Sequence, residues 1–177
     1  MNNDQELRGQ LTRMLTARQA HMDFEDAVAN FPRDFINTRP PNCDYRFWHL
    51  LEHMRICQKD ILDYIQSDHY TWPNFPNDLW PDQASITDPA GWQKTIEAFL
   101  ADRQALTTMI NDPSVDLFAP LPNSGKHQHS ILREITIVAS HNSYHTGELG
   151  ILRGVMGLWK AFATPFPPGA ATATSSG

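Results

Sequence analysis

Thirteen prolines punctuate this 177-residue chain, and the places they avoid decide what it can fold into. They leave four long proline-free windows, 1–31, 42–72, 90–112 and 123–164. A proline inside a helix removes a backbone donor and clashes with the preceding turn, so long helices can run only through such windows. Each window also repeats apolar residues at intervals of three and four. The first carries Leu7, Leu11, Met14, Ala17, Phe24 and Val28, and the second Phe47, Leu50, Met54, Cys57, Ile61 and Tyr64. The third carries Trp92, Ile96, Phe99, Leu106 and Ile110; the fourth carries Ile131, Ile135, Val138, Leu149, Leu152, Met156 and Trp159. One apolar stripe per helix is the pattern of a bundle. No stretch of any length alternates in the manner of a strand. The expected fold is all-α, a four-helix bundle with one or two long crossovers, in a single domain over residues 1–162. The Pro/Gly-rich segment 163–177 is expected to be a flexible tail.

Start signals support the register. Asp44 is expected to cap the second helix, Asp88 followed by Pro89 the third, and Ser130 the fourth, with Glu134 near the positive end of its dipole. The long aromatic and proline-rich connection 67–88 is expected to pack across the bundle.

Charge narrows the partners. Lys and Arg total 14 against 20 Asp and Glu, a formal charge of −6, which speaks against nucleic acid and anionic membrane surfaces. No run approaches 18 apolar residues, and the opening MNNDQELRGQ lacks the apolar core of a leader, so the expected location is cytoplasmic. Two cysteines, Cys43 and Cys57, are expected to stay reduced there.

The eight histidines carry the chemistry. His141 and His145 are four apart and continue the fourth stripe between Val138 and Leu149, so two polar rings point into the bundle. That spacing stacks them on one helical face, where a single cation can take a nitrogen from each; two hydrogen-bonded core histidines are the alternative. His53, at the margin of the second stripe, is the better inward third ligand. His49 falls farther round, towards solvent or behind the site. Cys57 reads first as a small buried apolar residue, with a thiolate ligand as the alternative. His21 fills a gap in the first stripe, either as a fourth inward histidine or as core. His69, His127 and His129 read as solvated. Glu148, three residues after His145, can reach back to the site or lie on the helix surface.

The segments FWHLLEHMRICQKDILDYI (47–65) and SILREITIVASHNSYHTGELGILRGVMGLW (130–159), with AHMDFEDAVANFP (20–32), resemble the DinB-like (YfiT/DinB) metalloenzyme family. HNSYHTGEL, with an inward histidine on another helix, is the specific part. The resemblance implies an up-up-down-down bundle, commonly dimeric, and a divalent metal such as nickel or zinc on three histidines matching His53, His141 and His145. At family level it further implies a thiol-dependent transferase or isomerase acting with a low-molecular-weight thiol. The open positions that three imidazoles leave on a metal suit a hydrolase or a thiol-dependent transferase for a small-molecule substrate, or metal-bound ligand sensing. A non-catalytic, stress-associated metal-binding bundle is the alternative. Candidate acid/base groups are His21, Tyr144 and Glu148, with His21 expected to approach the metal.

A homodimer is expected on a second ground. Gly147, Gly150, Gly154 and Gly157 form a ridge on the fourth helix, and each interior glycine costs about 1 kcal/mol relative to alanine. Such a ridge needs a close partner: the chain's own connection or tail, or a second subunit anchored by Trp159 and Phe162.

Overall fold

The proline-free windows do become helices. The computed structural model describes residues 2–159, in which α1 spans Asn3–Thr16, α2 Phe24–Val28, α3 Phe47–Gln66, α4 Pro89–Asn111 and α5 Ile131–Val155. No strand occurs among the described residues, so the all-α bundle stands as expected. The expected tail at 163–177, and Phe162, lie outside the described residues.

The first window does not hold one continuous helix. α1 stops at Thr16, Ala17 is extended, and Asp23 caps a separate α2 by accepting from the Asp26 amide at 2.8 Å. The break lets Phe24 turn inward to stack on Phe99 at 4.0 Å. The face α1 buries is Arg8, Leu11 and Leu15, whereas Met14, expected inside, is 44% exposed.

Two of the three expected caps form. Asp88 accepts from Gly91 at 2.7 Å ahead of Pro89, and Ser130 accepts from Arg133 at 3.3 Å. Asp44 is not a cap. α3 begins at Phe47, and the free amides of its first turn are met by chain rather than side chain: Phe47 donates to the Thr38 carbonyl at 3.2 Å and Trp48 to Ile36 at 2.8 Å. Any acceptor satisfies those amides, and here a neighbouring loop reaches them first.

Helix directions follow from who meets whom. α3 packs on α4 and α5, and α1 packs on the same two. The starts of α3 and α4 share one apolar cluster, with Phe47, Leu50, Met54, Trp92 and Phe99, to which the end of α5 adds Leu149. Their later turns share a second, with Leu62, Leu106 and Ile110, to which the start of α5 adds Ile135 and Val138 and α1 adds Leu11 and Leu15. α3 and α4 are therefore parallel and α5 runs against both. α1 also opposes α4, since Arg8 reaches the Ile110 carbonyl while Arg103 reaches that of Leu15. The order is up-down-down-up, not the implied up-up-down-down, because the long 67–88 connection carries the chain back along the bundle between α3 and α4.

The glycine ridge is also revised. Gly157 has φ +65° and lies past the end of α5, where Leu158 N–H bonds Arg153 O at 2.8 Å and Gly157 N–H bonds Gly154 O at 3.0 Å, a left-handed helix stop that glycine adopts at no steric cost. Gly150 admits Met22, whose sulfur would lie 2.8 Å from an added Cβ, and Trp159, whose indole donates to the Gly150 carbonyl at 3.1 Å. Trp159 also covers Gly154. For Gly150 and Gly154 the close partner is thus the chain itself, whereas nothing lies within 4 Å of a Cβ added at Gly147.

Candidate metal centre

Between the two apolar clusters lies a polar layer. On α3 it comprises His53, Cys57 and Gln58, and on α5 His141, Asn142 and His145. Buried Gln58 donates to the Phe99 carbonyl at 2.7 Å and accepts from Asn142 at 2.9 Å, tying α3, α4 and α5 together at this level. The helical spacing read from the sequence is what brings His141 and His145 side by side, with ring centroids 4.5 Å apart. His53 meets them from α3 at 5.1 and 4.9 Å.

One nitrogen from each of the three rings can lie within 4.8 Å of the other two. Nε2 of His53 and Nε2 of His141 are 3.3 Å apart. Two imidazole nitrogens bound to a tetrahedral ion at 2.0–2.1 Å are separated by about 3.3 Å, so the residues present fit a divalent cation. The outward nitrogens are taken. His53 Nδ1 contacts the Leu79 carbonyl at 2.7 Å, and His145 Nδ1 contacts Glu148 Oε2 at 2.6 Å. A ring whose Nδ1 carries the proton for such a bond turns a bare Nε2 to its other side. Trp80 stacks on His53, with centroids 3.8 Å apart and planes 6° from parallel, and holds that ring plane. Tyr144 meets His145 edge-on at 4.8 Å and is exposed at the rim.

Electrostatics favour neutral imidazoles. Burial, then the neighbouring His145 and His53, pushes the His141 pKa down to about 4. His53 is lowered as well, chiefly by burial, although the Leu79 carbonyl opposes the shift. Neutral rings are the form a metal takes. Burial would raise Glu148, but its bonds to His145 and Tyr45 outweigh that and hold the carboxyl below its ordinary value.

The other candidates fall elsewhere. Cys57 is buried with Sγ 3.4 Å from His53 Nδ1 and 3.8 Å from its Nε2, and burial raises its thiol to about 12. It does not belong to the group of three converging ligands. His49 is not turned to solvent: it is 1% exposed, with Nε2 2.9 Å from the Ser85 carbonyl, because the 67–88 connection covers that side of α3. His21 does not point inward. The helix that would have aimed it ends at Thr16, and the exposed ring rests Nδ1 against the Met22 carbonyl at 2.6 Å. His69 and His127 are exposed as expected, whereas His129 is half-buried, within 3.1 Å of the Tyr64 hydroxyl. Glu148 does reach back. The parts invisible in the sequence were Leu79, which acts through its backbone, and Trp80 and Tyr45. The aromatic richness of 67–88 was the one available signal for Trp80.

A family model described as the DinB superfamily matches residues 16–149, a span that includes His53, His141, His145 and Glu148. The chain belongs to the DinB superfamily. No curated protein and no solved structure matches it significantly. No helix among the described residues is long and apolar enough to cross a membrane.

Proposed function

We propose that the chain is a divalent-metal-dependent enzyme, with nickel or zinc held by His53, His141 and His145, acting as a hydrolase or a thiol-dependent transferase on a small-molecule substrate. The observation that carries this reading is the convergence of three ligand nitrogens with no fourth His, Cys, Asp or Glu in the group among the described residues. Structural sites close their fourth position with protein, whereas catalytic ones leave it open. A bound divalent cation supplies Lewis acidity there and makes water or a thiol a nucleophile near neutral pH.

The chain's own residues do the rest. Leu79 and Glu148 occupy the outward nitrogens and keep Nε2 of His53 and of His145 available. Trp80 and Tyr144 flank the rings with aromatic surface against which an apolar part of a substrate can lie. Both Glu148 oxygens are engaged, by His145 and Tyr45, so Glu148 orients and is not the free base. A low-molecular-weight thiol would bring its own transferable proton.

Elemental analysis of purified protein tests the site, and a panel of thiol and ester substrates tests the chemistry. About one nickel or zinc per wild-type chain is expected, with loss in His141→Ala. Full occupancy in that variant would sink the ligand assignment. A cytoplasmic homodimer belongs to the same proposal. Its support moves from the glycine ridge to the outer face of α5, where Ile137, Tyr144, Ile151 and Val155 are exposed. Sedimentation equilibrium showing only monomer at high micromolar concentration would remove it.

A further inference from the structure

Tyr45 belongs to no helix, standing two residues ahead of α3, yet its hydroxyl donates to Glu148 Oε1 while Glu148 Oε2 faces His145 Nδ1. We infer that Tyr45 is a positioning residue of the histidine centre, acting through Glu148 to hold His145 in the tautomer that presents Nε2 to an ion. The inference rests on the ligand reading above.

The physical need is specific. Glu148 is three residues beyond His145 on the same helix, so one bond between them leaves the carboxylate free to rotate about its last torsion. An imidazole bound to a rotating acceptor can flip and turn Nδ1 inward instead. A second donor from outside the helix pins the carboxylate plane, and the phenol is such a donor because an ionised carboxylate only accepts. Tyr45 is itself held. Its ring lies 5.4 Å from Trp80, the indole stacked on His53, and its hydroxyl also contacts the Cys43 thiol. The backbone directly after it is anchored where Phe47 and Trp48 donate to Thr38 and Ile36. One phenol thus braces two of the three histidines: His53 by packing through Trp80, and His145 by hydrogen bonding through Glu148. Tyr45→Phe keeps the packing and removes only the hydroxyl, which separates the two roles.

The test uses Tyr45→Phe, Glu148→Met and the double variant of the full chain, with two readouts. In metal-free protein, nitrogen-15 NMR of the histidine rings, recorded well above the histidine titration range, reports which nitrogen carries the proton. Wild type should show His145 as the Nδ1–H form, and both single variants should show a mixture. With zinc, chelator competition should show roughly a 10–100-fold loss of affinity for Glu148→Met and a three- to tenfold loss for Tyr45→Phe. The double variant should bind no more weakly than Glu148→Met alone, since Tyr45 acts through that carboxylate. Tyr45→Phe with wild-type tautomer and wild-type affinity would overturn the inference while leaving the ligand reading intact. Independent, additive losses in the double variant would also overturn it. Wild-type protein that binds no zinc, with a tautomer that still moves in Tyr45→Phe, would remove the ligand reading and uphold the positioning role.

Discussion

Acid should attack the metal-free protein through the histidine layer. In the folded chain His141 has its pKa lowered to about 4, by burial first and then by His145 and His53, and His53 is lowered in the same sense. In the unfolded chain each returns to the ordinary histidine value of about 6.5. Between those values the unfolded state binds more protons than the folded one, so stability is whole above about pH 6.5 and drains away as pH falls towards 4. At about pH 5 the gap is roughly one and a half pH units, or about 2 kcal/mol at 1.36 kcal/mol per unit. Because the His141 ring is only partly buried, solvent screening brings that to about 1 kcal/mol. The perturbation is acidification in the presence of chelator, combined with His141→Gln, which is polar but cannot titrate. Urea denaturation at about pH 7.5 and about pH 5 measures it. Wild type should lose about 1 kcal/mol more than the variant over that interval. Zinc added at 100 times its dissociation constant near pH 7.5 should stabilise wild type by about 2.7 kcal/mol and leave the variant unmoved. Identical pH dependence in the two proteins would refute the reasoning, because it would mean that His141 takes no part in the acid response.

Arg8→Met should destabilise by about 2–4 kcal/mol in thermal or urea denaturation, because buried Arg8 donates to the carbonyls of Ile110 (2.7 Å), Asp112 (3.0 Å) and Val115 (2.8 Å) at the end of α4; a loss below about 1 kcal/mol would contradict that. In native protein near pH 8, a thiol reagent should modify half-buried Cys43 readily and leave Cys57 unreacted, since burial raises its thiol to about 12. Fast modification of both would show that the layer opens. Gly157→Ala should cost about 1 kcal/mol, because φ there is +65°. Gly147→Ala, where nothing lies within 4 Å of the new Cβ, should instead stabilise by up to about 1 kcal/mol. Equal effects at the two positions would undo the distinction between helix stop and helix interior.

Local chemistry by itself determined the helices and the pair at the heart of the site. Prolines exclude helix wherever they fall, and the 3.6-residue period aligns Val138, His141, His145 and Leu149 whatever the rest of the chain does. The inward margin of His53 was legible for the same reason. What lay beyond reach depends on contacts between elements distant in sequence. His49 is buried because Ser85 arrives over it, and Asp44 does not cap α3 because the carbonyls of Ile36 and Thr38 reach the amides first. Arg8 sits in the buried register with Leu11 and Leu15 because the open end of α4 needs a donor there. His21 lost its inward place when α1 ended at Thr16, a break that frees Phe24 to stack on Phe99. The helix directions, the carbonyl on His53 and the phenol on Glu148 share this origin. Periodicity says which face of a helix is apolar, but only the packed chain decides which backbone carbonyl or distant hydroxyl comes within about 3 Å of a given nitrogen or oxygen.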